Sequence, residues 1–93
     1  MVIEMIGRIH EIFPEKKIRE GFSVVEFVLS YFLLDGKEQY RYIQAVGIAK
    51  DKMSRFQKGD TVKVKVVLKG KYRVNSEDKK KFFMNLDEAI NIE

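Results

Sequence analysis

The chain has 93 residues, with 18 Lys+Arg against 14 Asp+Glu and a formal net charge of +4. That length allows one domain with a modest core, residues 1–93, and an apolar fraction of 45% is a globular proportion that excludes wholesale disorder. The absence of cysteine excludes a disulfide framework and any thiolate metal site, and no apolar run nears the roughly 20 residues of a membrane-spanning helix.

The opening "MVIEMIGRIHEIF" has no basic segment leading into an apolar core and a small-residue cleavage site. A cytoplasmic protein without membrane association is expected. "VIEMIGRIHEIF" (2–13) is rich in β-branched residues and reads as a strand. Alternation puts Ile3, Met5, Gly7 and Ile9 on its inner face and Val2, Ile6 and Ile12 on the outer one. Gly7 marks a bend of the kind a closed barrel needs. "PEKKIREG" (14–21), bounded by Pro14 and Gly21, reads as a charged loop. "FSVVEFVLSYFLL" (22–34) follows as a second long strand, with Val25, Phe27, Leu29, Tyr31 and Leu33 inward and Phe22, Val24 and Val28 outward.

Asp35-Gly36 marks a tight hairpin, because both residues tolerate positive φ. "KEQYRYIQAVG" (37–47) returns as the third strand. With Ile43, Ala45 and Gly47 inward, Tyr40, Tyr42 and Gln44 project from the other face. "IAKDKMSRFQ" (48–57) breaks the rhythm; Ile48, Ala49, Met53 and Phe56 stand at helical spacings, and the spacing predicts a short helix ending near Lys58-Gly59.

The fourth strand, in "GDTVKVKVVLKGKYRV" (59–74), alternates oily and cationic residues. Val62, Val64, Val66 and Leu68 share one parity, Lys63, Lys65 and Lys69 the other, and the rhythm fails after Gly70. A loop, "NSEDKKK" (75–81), leads to a fifth strand (82–92) with Met84, Leu86, Ile90 and Ile92 on one parity. Three strands, a short helix and two more strands predict an all-β fold, a five-stranded OB-fold barrel with the helix between strands 3 and 4. A seven-stranded sandwich needs more strands, and the strands here are longer than those of an SH3-like barrel.

"GRIHEIF", "EFVLSY", "YIQAVGIAKDKMSRFQKGDTVKV" and "KFFMNLDEAINIE" together resemble the single-stranded DNA-binding protein family, and more narrowly its small tail-less bacterial and phage relatives of uncharacterised function. The resemblance implies an OB-fold and a role in replication, recombination or repair. Family members typically carry tryptophans and an acidic tail that recruits repair proteins. This sequence has no tryptophan and stops at "INIE", so tyrosine and phenylalanine are expected to stack on bases, and the recruiting role is not expected.

Two devices hold single-stranded nucleic acid: cations that displace counterions from phosphates, and aromatic faces that stack on bases. The candidate aromatics are Phe22, Tyr40, Tyr42, Tyr72 and Phe83. The candidate cations are Lys63, Lys65, Lys69, Lys71 and Arg73, of which the first three repeat along a strand at about 6–7 Å or multiples of it, a spacing similar to that of backbone phosphates. Without a bound strand, the same lysines serve to keep a sheet edge soluble, and the aromatics to cover barrel ends. His10, the sole histidine, has no motif partner, so no catalytic residue is assigned. Glu77 and Asp78 lie among lysines that oppose a cation, and no phosphate-binding glycine loop is present, so neither a metal nor a cofactor is expected.

The expectation is a non-catalytic, sequence-tolerant binder of single-stranded DNA, with RNA as an alternative ligand, in a homodimer or homotetramer that pairs through the outer strip of strand 1. The competing reading is an OB-fold assembly module with no nucleic-acid role.

Overall fold

The computed structural model describes every residue from Met1 to Glu93. Its strands are β1 (Val2–Ile12), β2 (Lys16–Arg19), β3 (Phe22–Phe32), β4 (Glu38–Ala45), β5 (Thr61–Val67), β6 (Gly70–Val74), β7 (Lys81–Asn85) and β8 (Glu88–Ile92). A short helix α1 (Gly47–Lys52), prolonged by a 3-10 turn (Met53–Arg55), joins β4 to β5. The strands pair in the order β1-β5-β8-β4-β3, and β1 also pairs with β3, which closes a five-stranded ring. This is the predicted OB-fold barrel, with the helix between its third and fourth strands.

The core follows from alternation. Ile9 of β1, Val25, Phe27 and Leu29 of β3, Ile43 and Ala45 of β4, Val62, Val64 and Val66 of β5, and Ala89 and Ile92 of β8 form one buried cluster. Ala49 of α1 and Met53 of the following turn complete it, so the helical link plugs one end of the barrel.

β1 serves two partners in succession. Val2 to Arg8 pair with β5, and from Arg8 onward the strand pairs with β3. The handover brings β1 hard against β3 at Gly7. A Cβ there would fall on the Ser30 carbonyl oxygen and lie 2.9 Å from Leu29 Cγ. The glycine is needed for close approach, as its position in a strand suggested. A register shift between Ile9 and Glu11 then turns Ile12 back toward the core, correcting its expected outward placement; bulges have this effect because one extra residue inverts the parity.

Other expectations need correction. The charged segment 14–21 contains β2, which forms a hairpin with β3 through Gly21 at φ 77°. Val24, opposite Lys16 of β2, keeps the parity opposite the core residues Val25 and Phe27 and lies outside the core cluster, yet it is buried, so the outer face is covered there. At the β3–β4 hairpin only Gly36 takes positive φ, 85°; three residues, Leu34 to Gly36, lie between the Leu33–Lys37 bond and leave Leu33 and Leu34 exposed.

The largest departure concerns the last two strands, each of which is broken in two. β5 and β8 belong to the barrel, whereas β6 and β7 pair only with one another. All ten residues of this hairpin are exposed, Met84 among them. In β8 a register shift lets Ala89 and Ile92 both point inward and leaves Ile90 outward. The arms make the molecule open: the Cα radius of gyration is 14.9 Å, against about 12 Å for a compact chain of this length.

Gly7→Ala is expected to destabilise the barrel by roughly 1–3 kcal/mol, the usual cost of overpacking. Chemical denaturation of the variant beside the wild type measures it.

Candidate nucleic-acid interface

The outer face of β4 carries Tyr40 and Tyr42, 54% and 51% exposed. Opposite them on β3 stand Ser30 and Val28. Beyond β3, the start of the chain supplies two more rings. His10 meets Tyr40 edge-on at 4.9 Å between centroids, and Phe13 lies 6.0 Å from Tyr42. Two aromatic pairs thus straddle β3 side by side. The Tyr40 hydroxyl donates to the Glu38 carboxylate. That bond holds the phenol above its ordinary pKa, with desolvation and the Glu38 charge adding in the same direction, so Tyr40 is a neutral ring at any physiological pH.

The face continues into the base of the β6–β7 hairpin. Tyr40, Arg41 and Tyr42 share a shallow groove with Asn85 and Asp87. One step along β4, Gln44 shares the next groove with Leu68, Lys69, Lys71, Leu86 and Glu88. Between them, Arg41 Nε donates to Asp87 Oδ2 at 2.6 Å, and Asp87 is 5% exposed. The hydrogen bond to Asp87 raises the Arg41 pKa further, against the lowering effect of burial. The one buried acid beside the tyrosines is therefore neutralised. Glu26 and Glu88, paired in register on either side of Gln44, are offset in the same way by Lys16 at 3.8 Å and Lys69 at 2.8 Å.

The hairpin itself has two chemical faces. In-register pairing places Tyr72 opposite Phe83, with centroids 5.1 Å apart. On the other face Lys71 and Arg73 stand opposite Met84 and Phe82, and these four side chains line a further shallow depression with Phe83. Lys71, Arg73, Lys79, Lys80 and Lys81 have no carboxylate partner within ion-pair distance, whereas Lys16, Lys17, Arg41, Lys63 and Lys69 each have one.

The ten sequence candidates accordingly divide. Tyr40 and Tyr42 join Lys69, Lys71, Tyr72, Arg73 and Phe83 along β4 and the hairpin. Phe22 stands apart at the tip of the β2–β3 hairpin, next to its turn, with the Arg19 guanidinium 5.3 Å from its ring centre. Lys63 and Lys65 do project outward together, but from β5, two strands round the barrel from β4. Lys63 is 3.4 Å from Glu4, and Glu4 and Glu93 border the same surface as Lys65. The row is thus removed from the tyrosines and partly compensated.

Sequence reasoning missed Phe82, Asn85, His10, Phe13 and the Arg41–Asp87 pair. A signal existed for the first two: Gly70 interrupts the alternation, and "KYRV" and "KFFM" flank a turn-rich "NSEDKK", which is a hairpin pattern. No local pattern pairs Arg41 with a residue 46 positions away.

The barrel fold is shared with solved structures of single-stranded DNA-binding proteins. The mitochondrial single-stranded DNA-binding protein Rim1 from S. cerevisiae is similar over 100% of this chain and 92% of its own, at 15% identity and a TM-score of 0.79. The small single-stranded DNA-binding protein of Streptomyces coelicolor is similar over the same shares, at 16% identity and a TM-score of 0.66. The Plasmodium falciparum protein, solved in complex with single-stranded DNA, is similar over 94% of this chain and 83% of its own, at 20% identity and a TM-score of 0.66. No curated protein matches the sequence. The chain belongs to the family described as Domain of unknown function (DUF3127), whose model matches residues 4–92.

Proposed function

We propose that the chain binds single-stranded DNA with little regard to sequence, along the outer face of β4 and onto the β6–β7 hairpin, in replication, recombination or repair. The observation that carries this reading is continuity: two exposed tyrosines, a neutralised groove and a hairpin bearing five unpaired cations lie in succession. Bases stack on Tyr40 and Tyr42 and on the Tyr72 and Phe83 rings, while Lys71, Arg73 and the cations at the hairpin tip meet phosphates. Every base has a π-face, so this chemistry tolerates any sequence. The fold shared with a protein solved on single-stranded DNA supports the same ligand class. The binding is non-catalytic and calls on no cofactor.

Titration of labelled oligo-dT over a salt series, with duplex DNA and RNA as controls, tests the reading. Tyr40→Ala and Tyr42→Ala are each expected to weaken binding by roughly 1–3 kcal/mol, the range for loss of a stacked base, with little change in the thermal midpoint, since both side chains are half exposed. Lys71→Glu with Arg73→Glu is expected to weaken all sequences alike and to reduce the salt slope by about 0.7 for each phosphate no longer neutralised. Lys63→Glu with Lys65→Glu, on the far side of the barrel, is expected to leave both nearly unchanged. A reversal of those last two results places the site on β5 instead.

Self-association belongs to the same proposal. From Val2 to Ile6, β1 has β5 on one side only, and its other edge is open. Ile6, 69% exposed, and Val2 lie on its outer surface. An open strand edge with apolar side chains pairs readily with another copy, and a dimer, or a tetramer built from two, is the expected solution state. Sedimentation at micromolar concentration is expected to show that state for the wild type and a monomer for Ile6→Lys.

A further inference from the structure

The β6–β7 hairpin buries nothing along its length, so only its two ends can fix its direction. On the incoming side Leu68 packs against the barrel core, and the Lys69 carbonyl accepts a backbone bond from Leu86 at 2.8 Å. On the outgoing side the chain passes from Asn85 to Glu88 through Asp87. Its backbone carbonyl accepts from Gln44 N at 3.0 Å, and its buried carboxylate accepts from Arg41. Arg41–Asp87 is the one side-chain hydrogen bond between β4 and this exit segment. Arg41 stands in sequence between the two tyrosines but on the opposite parity, so its side chain is not part of the face on which they lie.

We infer that Arg41 and Asp87 are positioning residues that hold the hairpin in line with the tyrosine face, so that the two act on one strand as a single site. The inference rests on the single-stranded DNA binding proposed above. Neither residue is required to touch the ligand: the guanidinium is committed to Asp87, and the carboxylate is buried. Their effect is on effective concentration. A strand already stacked on Tyr40 and Tyr42 meets the hairpin as a tethered partner only while the two surfaces keep a fixed relation. Freed from that relation, each surface retains its own affinity and the advantage of joining them is lost.

The test compares oligo-dT of about 4 and about 16 nucleotides, the limits of site size for an OB fold. Removing Arg41 alone strands a buried carboxylate, so the variant used is Arg41→Met with Asp87→Asn, which removes both charges together. Wild type is expected to bind the longer oligonucleotide at least about tenfold more tightly, a modest gain for two linked surfaces. The double variant is expected to bind the shorter one as wild type does and to lose most of the ratio. Asp87→Asn alone, which keeps a carbonyl acceptor for Arg41, is expected to fall between them. A ratio that survives in the double variant overturns this inference alone, as does a parallel loss at both lengths. If the wild type binds neither oligonucleotide at low salt, the functional reading falls, and this inference with it.

Discussion

The structure depends on a narrow seam. β4 and β8 meet in parallel over only two register pairs, Gln44 with Glu88 and Ala45 with Ala89. Backbone bonds from Gln44 to Asp87 and from Val46 to Ala89 reinforce them. Without that seam the sheet is an open meander with exposed edges; with it, Ile43, Ala45, Ala89 and Ile92 are enclosed among the valines of β5. Closure so short cannot take up the whole of the last two strands. Their outer halves leave the barrel together and pair with each other, since unpaired backbone groups would otherwise be stranded. The hairpin is therefore a geometric consequence of closing the barrel, and it emerges beside the face that carries Tyr40 and Tyr42.

Charge tells a related story. A net charge of +4 says little about partners until each cation is assigned a neighbour. The lysines most conspicuous in the sequence, Lys63 and Lys65, share their surface with Glu4 and Glu93. Glu26, Asp87 and Glu88, which border the groove, are each matched by a cation, whereas Glu38, which accepts from the Tyr40 hydroxyl, is not. Lys71, Arg73, Lys79, Lys80 and Lys81 of the hairpin remain without a partner, as do eight cations elsewhere on the chain, Lys50, Lys52, Arg55 and Lys58 of the helical link among them. Exposed ion pairs add little to stability, so these pairings matter chiefly for where a polyanion finds positive potential.

Much of the barrel was legible because its strands are half-buried and alternate. Val62, Val64 and Val66, or Val25, Phe27 and Leu29, declare an inner face without reference to the rest of the chain. The short helix was legible from Ala49 and Met53 at helical spacing, and Gly7 from its isolation in a β-branched run. Parity failed where a bulge intervened, at Ile12 and across Ala89 to Ile92, because one extra residue reverses every later assignment. It failed also at Met84, whose strand has no core to face. Of the candidate site, Tyr40 and Tyr42 and the hairpin residues Lys71, Tyr72, Arg73 and Phe83 could be named from sequence. Their assembly could not, since the Arg41–Asp87 pair and the ring order of the strands are long-range. The separation of the β5 lysines from the tyrosines follows from that order alone.

The central claim is that one continuous track, from Tyr40 along β4 to the hairpin, receives a single strand of DNA, and that β5 takes no part. Backbone amide NMR of the protein titrated with oligo-dT tests it most directly. The account predicts shift changes at Tyr40, Tyr42 and Gln44, at Lys71 to Val74 and at Phe82 to Asn85, saturating together at one concentration, with Lys63 and Lys65 unmoved. Changes centred on Lys63 and Lys65, or two sets of residues saturating independently, would contradict it.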